Sequence, residues 1–261
     1  MDSNERERRR QRRYREAMRN RAIAAVVLVA LIVGAVFIVN GCKKDETLPA
    51  DDRQEQQTDT PEGNTPKPSV NVDDELLTVV NPWNPLPEDW VCDLVTLSDG
   101  RRVDSRCYEA FEEMMAACRD AGYAPFLCSA YRTQETQQSL YDNKVQRLMN
   151  SGMGEEEAKV EAAKAVAIPG TSEHQLGLAV DIVDANMQDL TDEQEKTETQ
   201  KWLMANSWRY GFIHRYPNDK TDITGIIYEP WHYRYVGRAA AQDIFNRDIT
   251  LEEYVGKTNQ S

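Results

Sequence analysis

The sequence predicts an α+β domain with a mainly antiparallel sheet and flanking helices, preceded by one transmembrane or signal helix. Three observations lead there. From residue 76 onward, strand-like and helix-like segments mix without strict strand–helix–strand alternation. No internal repeat is present. Ahead of them, Ala22 to Val39 is a run of eighteen residues without a charge, about the minimum for a helix that crosses a bilayer.

Charge divides the 261-residue chain unevenly. Residues 1–21 hold nine arginines against four acidic residues, an excess of +5, which leaves −18 of the total −13 for the remainder. A main domain of that sign is unsuited to nucleic acid. Residues 1–21 read as a basic cytoplasmic segment and 22–40 as the membrane segment, because the larger positive excess stays inside. Everything after about residue 42 is then outside. Two fates stay open. The helix persists as a single-pass anchor in a bacterial cell membrane. Alternatively it is cleaved and Cys42 is lipidated, since Val39-Asn40-Gly41-Cys42 resembles a bacterial lipobox. Residues 41–75 are rich in Asp, Glu, Gln, Thr and Pro and poor in large apolar groups. Such a stretch cannot offset its ordering entropy and reads as a disordered tether.

The folded domain is expected over residues 76–250, with 251–261 as a C-terminal tail. Leu76 to Val80 reads as a short strand. Asn81 to Pro87, with three prolines, is extended or turning. Val91 to Leu97 is a strand closed by the turn Ser98-Asp99-Gly100. Tyr108 to Ala121 is a helix, with Phe111, Met114, Met115 and Cys118 at i, i+3, i+4, i+7. Ala124 to Tyr131 is a strand. Thr133 to about Val166 is helical, broken at Ser151 to Gly154. Leu176 to Val183 is a central strand, and Thr191 to Arg209 a helix. Gly211 to Arg215 and Ile223 to Tyr228 pair as neighbouring strands, and Ala239 to Phe245 is a late helix.

Four cysteines, Cys92, Cys107, Cys118 and Cys128, follow the membrane segment. An even number outside the cell permits two disulfides of open connectivity. A four-cysteine zinc site and simple buried thiols are the competing readings; the absence of any C-x-x-C pair argues against the zinc.

The chemistry sits in Ser172-Glu173-His174-Gln175-Leu176-Gly177-Leu178-Ala179-Val180-Asp181 and in Glu229-Pro230-Trp231-His232. Side chains alternate along a strand, so Gly177, Ala179 and Asp181 share one face and Leu178, Val180 and Ile182 the other. The small neighbours of Asp181 leave room for a metal. His174, Asp181 and His232 are the economical ligands, with Glu229 as the carboxylate that takes a proton from water. A glutamate ligand with a structural Asp181 is the alternative. Pro230 bends the chain so that Glu229 and His232 face one site. His214 has no local carboxylate partner and reads as structural or supporting.

These residues resemble the VanY-type D-alanyl-D-alanine carboxypeptidases, in the zinc metallopeptidase group that includes lysostaphin-type enzymes and the sonic hedgehog fold. The pattern Ser-x-His-x-x-Gly-x-Ala-x-Asp, then Glu-x-x-His, carries the likeness, with Ser129-Ala130-Tyr131-Arg132 as a third block. It implies one Zn2+ per chain and a D,D-carboxypeptidase acting on peptidoglycan stem peptides. Carried over by position, Arg132 binds the substrate carbonyl or carboxylate and stabilises the oxyanion, and Ser172 contacts substrate. Tyr131 and Trp231 wall the pocket, and Gln138 reaches the site. Two alternatives stand beside it: an L,D-carboxypeptidase on tetrapeptide stems, and a non-catalytic wall-binding module with a structural zinc.

Overall fold

The computed structural model describes residues 75–258. The basic segment, the apolar run and all but the last residue of the tether lie outside the described residues, as does Cys42. Among the described residues no helix is long and apolar enough to cross a membrane.

A small hairpin pairs β1 (Leu94–Thr96) with β2 (Arg102–Asp104). The main sheet contains β3 (Pro125–Ser129), β4 (Ala179–Asp184), β5 (Phe212–His214) and β6 (His232–Tyr235). Its order is β3-β4-β6-β5 and every pair is antiparallel. Alternation along β4 decides where everything else goes. Leu178, Val180 and Ile182 enter the main core. There they meet Phe111, Met114, Met115 and Cys118 of helix α1 (Ser105–Asp120). Asp104 caps that helix by accepting from the Arg106 backbone N–H. The opposite face of β4 carries Ala179 and Asp181. In register with them on β6 are Arg234 and His232 respectively. The small Ala179 thus stands across from the large Arg234.

Helices α2 (Gln134–Asn150) and α3 (Glu155–Ala165) are separated by Ser151 to Gly154. They share a small apolar cluster of Val145, Ala158 and Ala162. The remaining helices are α4 (Glu198–Asn206), the single turn α5 (Thr221–Thr224), α6 (Arg238–Arg247) and α7 (Leu251–Val255).

Several expected elements take another form. Leu76 to Val80 is not a strand: Glu75–Leu77 is a 3-10 turn. The carbonyls of Leu76 and Thr78 accept from the Arg234 guanidinium, each at 2.9 Å, instead of from a strand partner. Thr191 to Arg209 is not one helix. Thr197 takes an extended backbone and caps α4 with its side chain, so the stretch Asp192–Lys196 closes as a separate 3-10 turn. Ile223 to Tyr228 does not pair with β5. The partner of β5 is β6, while Thr224 Oγ1 and the left-handed Gly225 close a tight turn that leaves Ile226 and Ile227 against the cleft. Residue 251 does not begin a tail, since Leu251 and Glu252 are fully buried in α7. The four cysteines are free thiols. Cys107 and Cys118 both face the core from α1, roughly 16 Å apart along the helix and out of disulfide reach of each other. Burial pushes both thiols up to about 12, so they stay protonated.

One glycine sets the site. His174 lies in the 3-10 turn Glu173–Leu176, and Gly177 ends it at φ +75°. This left-handed residue turns the chain into β4 and brings His174 and Asp181 together. A Cβ here would meet Asp104 Cβ at 3.1 Å. We expect Gly177→Ala to cost about 1–2 kcal/mol from the backbone alone, more with the Asp104 contact. Thermal denaturation measures it, and an unchanged midpoint would show that the turn relaxes freely.

Candidate active site

Asp181 and His232 oppose each other in the β4–β6 ladder, and the 3-10 turn places His174 beside them. All three residues are buried, and ligand-type atoms of the three lie within 4.8 Å of one another. His174 Nε2 is 3.2 Å from Asp181 Oδ2, and His232 Nδ1 is 3.1 Å from Asp181 Oδ1. The outer nitrogens decide which lone pairs remain. His174 Nδ1 sits 2.8 Å from the Ala130 carbonyl, which can only accept, so Nδ1 carries the proton and Nε2 keeps the lone pair that could bind a metal. His232 Nε2 lies 3.4 Å from Glu173 Oε2, and neither atom has an aligned hydrogen-bond partner among the described residues.

That orphaned pair is the test of whether a metal fits. A cation on His232 Nδ1 leaves the proton on Nε2, where Glu173 accepts it, the arrangement by which a carboxylate orients a metal-bound histidine. Two imidazoles and one carboxylate then form a three-ligand set suited to zinc with an open position.

The electrostatics follow from burial and neighbours. Burial, then Arg132, push His174 down to about 4, despite Asp181. Burial works against a charged His232, but Asp181 and Glu173 override it and hold the ring up to about 9. Burial would raise Asp181, yet both histidines and Arg132 keep its carboxyl well below the usual range. Glu229 is driven up to about 8, chiefly by burial, with His232 opposing and Asp181 adding. Its Oε2 is 3.6 Å from His232 Nδ1. It is therefore a carboxylate whose proton affinity is near neutral pH, beside the ligand set and outside it.

Arg132 donates to Ser129 Oγ at 2.9 Å, to Gln137 Oε1 at 3.4 Å and to Asp181 Oδ2 at 2.7 Å. With five N–H donors in its fork, it retains donors for a ligand in the cleft it lines. Ser172, Glu229 and Trp231 line the same 740 Å³ cleft. Two expected contacts do not. Tyr131 is absent from the lining; its ring packs under Arg102, 5.1 Å away. Neighbouring side chains of an extended chain face opposite ways, so Arg132 and Tyr131 cannot both face the site. Gln138 is exposed and bonds Asp142. It is Gln137, about 100° round the helix, that is buried and reaches Arg132.

Two supports brace the site, and of these only His214 was singled out by the sequence. His214 Nε2 lies 3.2 Å from the Glu229 carbonyl, tying β5 to the backbone of that residue. Glu173, a fully buried neighbour of His174, accepts on Oε1 from Arg215 Nε and Arg234 Nη1, each at 2.8 Å. Arg215 is gripped in turn by both oxygens of Glu252, at 2.8 and 2.6 Å. For Glu173 the sequence signal was its place as the acidic neighbour of His174; its partners lie 42 and 61 residues away.

Two imidazoles, an aspartate and a separate buried glutamate, set on one face of an antiparallel sheet, define a zinc metallocarboxypeptidase. The chain belongs to the VanY family: the family model described as D-alanyl-D-alanine carboxypeptidase matches residues 100–238. A D-alanyl-D-alanine carboxypeptidase of Enterococcus faecalis is 44% identical over 200 residues, 76% of this chain and 73% of that protein. The crystal structure of a mutant of the vancomycin resistance D,D-pentapeptidase VanY, in complex with Zn(II), matches at 45% identity and a TM-score of 0.63. It covers 69% of this chain and 98% of that one. VanYB in complex with D-alanine-D-alanine matches at 46% and 0.64, over 69% of this chain and 97% of that one.

Burial alone would raise the Glu173 carboxyl, but Arg215 and Arg234 hold it below the usual carboxylate range. Its folded pKa is thus lower than its unfolded value of about 4.3. The stability it contributes is complete above that value and is lost as pH falls through the folded one. Glu173→Gln is expected to cost about 3–5 kcal/mol at pH 7 and to flatten the acid limb of stability. Urea denaturation at neutral and acid pH reads both effects; an equally steep acid limb in the variant would place the acid dependence elsewhere.

Proposed function

We propose that the domain is a zinc-dependent D,D-carboxypeptidase that removes the C-terminal D-alanine from peptidoglycan stem peptides. The observation that carries this is the convergence of His174, Asp181 and His232 beside an unligated, buried Glu229. A structural metal site has no use for that glutamate, nor for an arginine at the cleft.

His174 Nε2, one Asp181 oxygen and His232 Nδ1 would hold the ion. Zinc there supplies Lewis-acid polarisation of a water and of the scissile carbonyl. Glu229 accepts the proton of the attacking water and returns it to the leaving amine. A nearby cation favours the ionised form of its carboxyl, which its own burial disfavours. Arg132 presents its remaining N–H donors to the substrate carboxylate or to the developing oxyanion. Ser172 and Trp231 shape the wall beside it. His214 holds the Glu229 backbone, and Glu173 holds His232 in the tautomer that the metal needs.

Two variants separate base from ligand. Glu229→Gln is expected to keep zinc and lose turnover by roughly two to four orders of magnitude. His174→Ala is expected to lose both. Zinc content and released D-alanine from pentapeptide and tetrapeptide stems, with and without chelator, are the measurements. Parent-like hydrolysis by Glu229→Gln would remove the base assignment. Release from tetrapeptide stems alone would make the activity L,D.

The N-terminal segment, in this reading, tethers the domain outside a bacterial membrane, as a single-pass anchor or through lipidated Cys42. Labelled fatty acid incorporated by the parent and lost in Cys42→Ser marks the lipoprotein. No incorporation in the parent marks the spanning helix.

A further inference from the structure

The cleft is larger than the reaction needs. At 740 Å³ it lies within the roughly 300–1,000 Å³ that holds a drug-sized ligand, so it admits more of a peptide than the two residues at the scissile bond. Its outer part has a wall of fixed charge. Leu140, Lys144 and Arg147 of α2 line it, at i, i+4 and i+7 and hence on one helix face. Asp192 and Glu193 of the 3-10 turn line the same cleft.

Lys144 and Arg147 are, with Arg132, the lysine and arginine residues of the cleft lining. Neither makes a side-chain ion pair or hydrogen bond with any described residue. The positions three and four away are Leu140, Tyr141, Asn143, Leu148 and Asn150 of α2, Ser151 just past its end, and each other. No carboxylate is offered, and two like charges at i, i+3 mildly destabilise a helix. Several other lysines are paired within their own turn, as Lys159 is with Glu155, Lys164 with Glu161 and Lys196 with Glu193, and Lys220 reaches Glu253. Nor does an ion pair close the cleft between Lys144 or Arg147 and Asp192 or Glu193.

Distance places the group they would meet. Arg132 stands just before the start of α2. Helical rise sets Lys144 and Arg147 roughly 15–20 Å further along the axis, and helical side chains lean back towards the N-terminus. We propose that Lys144 and Arg147 form an anion subsite for a carboxylate of the substrate peptide about three to five residues before its C-terminus, at ~3.3 Å per extended residue. Asp192 and Glu193 repel that carboxylate and so fix its side of the cleft. This subsite rests on the carboxypeptidase reading above.

The test is a ratio. Peptides ending in D-Ala-D-Ala are made as pairs, identical except that one upstream residue carries a carboxylate or its primary amide. The zinc-loaded full-length protein is expected to prefer the carboxylate in kcat/KM by about fivefold or more at low salt. The preference shrinks at about 0.5 M salt, where screening is short-ranged. In the Lys144→Gln, Arg147→Gln double variant the ratio falls towards one. Because each peptide is its own control, a general loss of activity does not move that ratio. A parent ratio of about one, or a double variant with the parent's ratio, overturns the subsite and leaves the peptidase reading standing. Failure of the parent to cut either peptide overturns both.

Discussion

Glu173 is the contact on which the rest of the domain leans. One of its oxygens binds two arginines and the other faces the imidazole of His232. Buried charges survive only when paired and hydrogen-bonded. Here Glu173 and Glu252 balance Arg215 and Arg234, all four fully buried. The network also reaches outward. Asn81 donates to Glu252, and Arg234 takes the Leu76 and Thr78 carbonyls. The first described segment, the last described helix, β6 and the residue that follows β5 are therefore fastened to the carboxylate that faces the candidate ligand His232. Fold and site share one electrostatic unit.

Upon that base the site divides its work between rigid and adaptable parts. The ligands come from a ladder pair and a glycine-terminated turn, both over-determined by backbone bonding. Glu229 sits on the approach to β6, braced by His214 at its carbonyl. Arg132 is braced by Ser129, Gln137 and Asp181. Glu229 and Arg132 are each held by neighbouring groups, His214 for the one and Ser129 and Gln137 for the other, that lie outside the candidate ligand set. The face of β4 away from the metal belongs to the apolar core, so loosening that core would also misplace Asp181.

The charge pattern becomes coherent at the same scale. An acidic domain would repel an anionic substrate if its surface were uniform. Arg132, Lys144 and Arg147 line one cleft, and in the proposed reading they would give an acidic peptide a local path along α2 inside a field of the opposite sign.

The sequence alone determined the ligand set and the base as candidates. His174 and Asp181 belong to one short segment and Glu229 and His232 to another, and a metal site's demand for particular donor atoms is visible in residue types. It determined the antiparallel α+β class and α1, whose apolar period is local. Tertiary structure decided the rest. The partner of β5 proved to be β6 because strand pairing is non-local. Leu76 to Val80 lost its strand to a guanidinium from β6. Gln137, not Gln138, supports Arg132, because helix phase was set by packing. Glu173 could be read only as a carboxylate beside a histidine until folding brought Arg215 and Arg234 to it. Local chemistry is written along the chain; the partner that satisfies a buried charge is chosen only when distant segments meet.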